Sequence, residues 1–393
     1  MAQHRVASTK LALARAGLAA LVTVFAACQP RAPQPPPPPG PPPSPPAPPA
    51  PSASAAVPPA VPTLPPPIVV KEAGLLVPES VLHDVEQDVY LVSNINGGPA
   101  ERDNNGFISK VSPDGKVIEL KFIEGGQKDV KLSAPKGMAI VGDTLYVTDI
   151  ASVRLFDRKT GKPKGRVGVG GATFLNDLAV SAKGKIFFTD TGLQPAKDGL
   201  APSGSNAVWR IAPGGQATPV LRDPGLGGPN GLVADEEGVW IVSWVGSMYR
   251  VTDKGKKESE QKLPKARLDG IVVLPDGSFL VSSWEASAIY RGKPGGEFVP
   301  VITDVKSPAD IGFDQKRNRV LVPLFTENAL QFHSLGPAPA PAGASAAAAV
   351  PKPAPAPAAS ATPPKPAPAP PAPSAAPPPA AAPPAASAAP AKR

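Results

Sequence analysis

The chain has one cysteine, Cys28, and three histidines among 393 residues. A single cysteine excludes an intramolecular disulfide. Charge of one sign is also missing where it would matter. The formal net charge is +8, but eight of the forty Lys and Arg (Arg5, Lys10, Arg15, Arg31, Lys352, Lys365, Lys392, Arg393) lie outside residues 68–336. Within that span the other 32 meet all 32 Asp and Glu, a net of zero. A neutral region offers no electrostatic footprint to a phosphate backbone, which excludes nucleic acid as an expected partner. No apolar run reaches the roughly 20 residues of a membrane-spanning helix. Nor is any helical period sustained in the middle of the chain.

Proline, by contrast, is abundant, with 58 residues. Most lie before residue 68 or after residue 336, and this sets the expected organisation: 1–27, 28–67, 68–336 and 337–393. Arg5, Lys10 and Arg15 with no acidic residue, followed by the apolar stretch from Ala16 to Ala27, form an export signal. Its end, Phe25-Ala26-Ala27-Cys28, resembles a bacterial lipoprotein lipobox, which implies acylation of Cys28, cleavage before it, and attachment to the cell envelope. Residues 28–67 and 337–393 are expected to be disordered arms, because proline lacks the N–H that helices and sheets need. Polyproline II at ~3.1 Å per residue would let the first arm act as a tether on the order of 120 Å long. The tail receives no role.

Between the arms one unit recurs. A turn anchor leads into an apolar strand, a second strand follows after a tight turn, and a third often reads apolar-x-Arg-apolar. Blade two shows it as Pro135-Lys136-Gly137-Met138, then Leu145-Tyr146-Val147-Thr148-Asp149, then Val153-Arg154-Leu155-Phe156. Taking Glu79, Lys136, Asn176, Asn230, Asp269 and Ala309 as equivalent gives spacings of 57, 40, 54, 39 and 40. Four short strands per ~40 residues is the geometry of a propeller blade. The expected fold is therefore an all-β, six-bladed β-propeller, forming a monomer. Ile68-Val69-Val70-Lys71 precedes the first full unit and is expected to supply the fourth strand of the last blade, closing the ring.

In a propeller the six anchors face one another around one mouth. Two carboxylates and two carboxamides among them make a hard-oxygen cluster of charge about −2, suited to Ca²⁺ or another divalent cation. No histidine stands at an anchor, which argues against zinc. Lys136, with no oxygen to offer, is expected to be indifferent to the metal. The ends of the second strands are expected at the same mouth, placing Asn94, Asp149, Asp190, Trp244, Trp284 and Phe325 on the rim. The aromatics there either wall a ligand or cap blade packing.

The pattern Glu79, Asn176-Asp177, Asn230-Gly231 and Asp269-Gly270 resembles the gluconolactonase / senescence-marker-protein (regucalcin) superfamily, over about residues 75–335. The resemblance implies Glu79, Asn230 and Asp269 as metal ligands, with Asn176 a ligand or substrate contact. It implies Asp177 as a residue orienting substrate or site, and Asp269 as the catalytic base in metal-assisted lactone hydrolysis. Asp149, Asp190, Trp244 and Trp284 complete the expected substrate wall. Two departures stand out. The family's Glu-Gly-Pro-Val opening is Glu79-Ser80-Val81-Leu82 here. The family's sugar-contacting Arg has no counterpart in Gly171-Ala172-Thr173-Phe174, so a sugar-acid lactone is not favoured over other lactones or esters. Asn-Gly and Asp-Gly are also ordinary turn pairs tolerant of positive φ, and the Pro-x-Gly of blade two also resembles NHL-type repeats. The alternative expectation is thus a non-catalytic scaffold binding a peptide, glycan or envelope component. A third is a strictosidine-synthase-like member.

Overall fold

The computed structural model describes residue 40 and residues 64–336. The expected signal segment, Cys28, most of the expected first arm and the expected tail lie outside the described residues.

Six four-stranded antiparallel sheets form the blades of the propeller. Blade one comprises Pro78–Asp84, Val89–Asn94, Phe107–Val111 and Val117–Glu124. Blade two comprises Pro135–Val141, Thr144–Asp149, Ser152–Asp157 and Pro163–Gly168. Blade three runs Leu175–Val180, Ile186–Asp190, Ala207–Ile211 and Ala217–Arg222. Blade four is Pro229–Ala234, Gly238–Ser243, Ser247–Thr252 and Lys257–Lys262. Blade five is Leu268–Val273, Phe279–Ser283, Ala288–Gly292 and Val299–Ile302.

Blade six takes Gly312–Asp314, Arg319–Leu324 and Ala329–Ser334 from the end of the described region and Ile68–Val70 from its start. Ile68, Val69 and Val70 pair antiparallel with Phe332, Gln331 and Leu330, so the ring is closed as the sequence predicts. The long 54-residue spacing comes from a hairpin, Leu193–Ala196 paired with Gly199–Pro202, inserted between the second and third strands of blade three.

The core explains why the strands read as continuous apolar runs rather than alternating ones. Each blade is covered on both faces, so odd and even residues are both buried. In Val89–Asn94, Tyr90 and Val92 pack toward blade six, and Leu91 packs toward blade two. In Ile186–Asp190, Phe188 faces blade two and Phe187 faces blade four. An apolar cluster fills each of the six blade interfaces. Among the described residues no helix is long and apolar enough to cross a membrane.

Candidate metal centre

The innermost strands do not run straight past the axis. In blades one to five the pairing with the second strand shifts register at the anchor, between Pro78 and Ser80, Pro135 and Met138, Leu175 and Leu178, Pro229 and Leu232, and Leu268 and Ile271. A bulge of this kind re-aims a side chain and releases backbone groups from the ladder. Hydroxyls from the second strands capture the released groups. Thr189 Oγ1 accepts from Asp177 N (3.1 Å) and donates to Asn230 O (2.7 Å) in the next blade. Ser282 does the same between Gly270 N (2.7 Å) and Ala309 O (2.8 Å), and Thr148 Oγ1 donates to Asn176 O. The anchors are thereby tied across blades.

The glycines that follow three anchors have a different purpose from that of turn residues. Gly137, Gly231 and Gly270 lie inside strands and none has a positive φ. A Cβ on Gly231 would collide with Asp269 O, and one on Gly270 with Ile311 N. The Asn-Gly and Asp-Gly pairs are therefore sites of close backbone approach at the axis, and the reading of them as turns is corrected.

Glu79, Lys136, Asn176, Asn230 and Asp269 converge on one cavity of about 270 Å³. All five are at least 95% buried. Ala309, the sixth anchor, is buried but contributes nothing to this wall. Asn176 Nδ2 donates to Thr191 Oγ1 (2.9 Å) and Asn230 Nδ2 to Leu268 O (3.2 Å), which fixes both carboxamides with the nitrogen engaged. Trp284 Nε1 donates to Asp269 Oδ2 at 2.7 Å. Four further oxygens, Glu79 Oε2, Asn176 Oδ1, Asn230 Oδ1 and Asp269 Oδ1, are buried with no hydrogen-bond partner.

Such atoms cost about 1–3 kcal/mol each when left unpaired, more for a charged group, so four converging in one cavity call for a counter-ion. Two carboxylates and two carboxamide oxygens fit a hard divalent cation. Among the described residues no three His, Cys, Asp or Glu side chains group to hold a metal. This centre has only two carboxylates and makes up its set with amides.

Electrostatics agree. Burial, followed by the charges of Asp269 and Asp310, holds the Glu79 carboxyl well above its usual range. Burial and Asp310 push Asp269 up to about 8. Lys136 is drawn down to about 8 by burial. Its Nζ donates to Pro99 O (2.8 Å) and Ala134 O (3.1 Å) and lies 4.4 Å from the Phe174 ring centre. Its charge acts on Glu79, so Lys136 is the cation of the same wall.

Three residues expected on the rim, among them the expected substrate contacts Asp149 and Asp190, lie elsewhere. Asp149 Oδ1 accepts from Ser133 N and Ala134 N, and Oδ2 from Arg154 Nε. Asp190 accepts from Thr173 N, Phe174 N and Gly192 N. Asn94 Oδ1 likewise accepts from Leu76 N. These three residues are the last paired positions of their strands, opposite Pro135, Leu175 and Pro78, where they brace the loop entering the inner strand.

Trp244, Trp284 and Phe325 stand one residue beyond that register, and they do line the cavity, where the matching positions are Ile95 and Thr191. A one-residue slip changes which side a residue faces, and equating Asp149 with Trp244 made that slip. Asp177 is also displaced. It accepts from Leu232 N (2.9 Å), packs against Asp310 on the axis, and lines the cavity on the opposite side of the ring. Burial pushes Asp310 up to about 7, and Ser80 Oγ donates to its Oδ2. Asp310 was missed, although it follows its anchor as Asp177 follows Asn176.

No protein-family model matches the chain, and no curated protein sequence does. Solved structures do resemble it. A gluconolactonase from Xanthomonas campestris is 20% identical with a TM-score of 0.51, covering 68% of this chain and 94% of its own. A second protein, provisionally named a gluconolactonase, is 16% identical with a TM-score of 0.51, over 68% of this chain and 92% of its own. A calcium-binding regucalcin from Agrobacterium tumefaciens is 18% identical with a TM-score of 0.48, over 69% and 93%. The chain shares the propeller fold of the two gluconolactonase structures.

Proposed function

We propose that the chain is a divalent-cation-dependent hydrolase of lactone or ester type, with Ca²⁺ as the preferred ion. The observation that carries the reading is the set of four partnerless buried oxygens on Glu79, Asn176, Asn230 and Asp269. The gluconolactonase fold supports it. A bound cation would polarise the substrate carbonyl and stabilise the oxyanion that forms there.

The chain's own residues set the rest. Hydrolysis breaks the acyl C–O bond, and the attacking water must lose a proton while the departing alkoxide gains one. Asp269 is the candidate base, with Trp284 holding its Oδ2 and thereby orienting the carboxylate. Lys136 keeps one N–H without a partner among the described residues and is the candidate donor to the leaving oxygen. Trp244, Trp284 and Phe325 form a continuous aromatic wall, with ring centres 5.6 and 5.0 Å apart, that keeps water from the acyl group. Acylation of Cys28 would hold this catalyst at the bacterial cell envelope on its proline tether.

The test is metal analysis of the purified protein followed by lactone and ester hydrolysis with and without EDTA. Hydrolysis that EDTA abolishes and Ca²⁺ restores is expected. A protein that carries no divalent ion and hydrolyses nothing would leave a binding scaffold instead.

A further inference from the structure

The register of the cavity wall says more about the substrate than its metal ligands do. We infer that the site takes an apolar lactone or ester, carrying an alkyl or aromatic group, and discriminates against polyhydroxylated ones. The inference rests on the hydrolase reading and specifies the substrate class of that same site.

Hydrogen-bonding capacity is the first ground. Asp149, Asp190 and Asn94 are withdrawn into backbone contacts, so none is available to a sugar hydroxyl. The donors that remain on the wall are partly spent. Asn176 Nδ2, Asn230 Nδ2 and Trp284 Nε1 each have a protein partner, and Thr191 Oγ1 donates to Pro229 O at 2.9 Å. The Trp244 indole N–H, one N–H of Lys136 and the second N–H of Asn176 and of Asn230 have no hydrogen-bond partner among the described residues. The fully buried acceptors without a partner are the four oxygens that a cation would occupy. A simple lactone or ester offers two oxygen acceptors and no donor, which these free donors can serve. A sugar lactone brings several hydroxyls, each a donor that would enter this cavity unpaired.

Shape is the second ground. Besides the aromatic wall, the cavity is closed by Ile95, Phe174, and Leu193 and Leu200 from the hairpin inserted in blade three. Leu200 is 40% exposed, an apolar side chain held at the mouth. The aromatic and aliphatic surface is thus continuous from the metal ligands to the rim, where a substituent on the lactone ring would lie.

The experiment uses the full-length protein with Ca²⁺. An alkyl-substituted δ-lactone and an aromatic-fused lactone are compared with glucono-δ-lactone and an unsubstituted δ-lactone. The alkyl and aromatic substrates should exceed the sugar lactone in kcat/KM by on the order of a hundredfold. Leu200→Ser should raise KM for the alkyl substrate several-fold while changing it little for the unsubstituted ring, whereas Trp244→Ala should raise KM for both.

A second readout does not need turnover. An alkyl-substituted cyclic ketone, which is not hydrolysed, should shift tryptophan emission of the wild type at concentrations where a polyhydroxylated cyclitol does not. Equal or better hydrolysis of the sugar lactone overturns the inference. If no lactone or ester is hydrolysed, the hydrolase reading fails and the fluorescence comparison decides. Binding of the ketone alone upholds the apolar site, whereas binding of neither compound, or of the cyclitol, overturns it.

Discussion

Removing the N-terminal strand of blade six tests how the ring is held shut. Val70 is 4% exposed and packs with Val111, Leu330 and Phe332, whereas Val69, on the other face of the strand, is 48% exposed. Ile68 is half-buried against the same cluster. Full burial of a valine is worth about 1.5–3 kcal/mol and a half-buried isoleucine about 1 kcal/mol. The three-residue ladder with Leu330, Gln331 and Phe332 adds backbone hydrogen bonds and covers an edge.

A chain starting at residue 72 should therefore be about 3–5 kcal/mol less stable than one starting at residue 67. At about 2–4 °C per kcal/mol for a domain this large, its melting temperature should fall by roughly 6–20 °C. Val70→Asp should reproduce most of the loss and Val69→Asp almost none. Thermal melts followed by circular dichroism give all four values. Equal melting temperatures for the two truncations, or equal effects at Val69 and Val70, would refute closure by this strand.

Gly270→Ala should destabilise by about 1–3 kcal/mol, because its Cβ would meet the backbone of Ile311 and Asp310. Gly168→Ala, where nothing lies within 4 Å, should stay within about 0.5 kcal/mol in the same denaturant titration. The metal-free protein should also lose stability as pH rises. Asp269 and Asp310 titrate at about 8 and about 7 when folded, against the usual 3.8. The folded state thus binds these protons more tightly than the unfolded chain, so their contribution is complete below about pH 4 and lost toward pH 8. Melting temperatures in EDTA that climb between pH 5 and pH 8 would contradict this, and Ca²⁺ should offset the fall.

Much of this was legible because propeller sequences repeat their chemistry. The turn-strand unit placed all six anchors, and five of them share the cavity. What periodicity could not reveal was register at the strand ends. Asp149 and Trp244 both follow an apolar strand, yet one is its last paired residue and the other lies just beyond it. Only the pairing with Pro135 and Pro229 separates them. The glycines were ambiguous for a related reason. Asn230-Gly231 reads as a turn until the neighbouring strand is seen pressed against it. The burial of Lys136 beside Glu79 was not visible, because sequence shows a side chain's charge but not its surroundings. The hairpin of blade three was visible only as excess length.

Calorimetric titration of Ca²⁺ into chelator-treated protein tests the central claim most directly. Four buried oxygens on four blades should hold one ion per chain, and at a hundred times its dissociation constant the ion should stabilise the fold by about 2.7 kcal/mol. Asp269→Asn, which removes one of the two carboxylates, should weaken binding by at least tenfold, while Lys136→Met, which removes the opposing charge, should not weaken it. No heat of binding in the wild type, or binding unchanged in Asp269→Asn, would contradict the account.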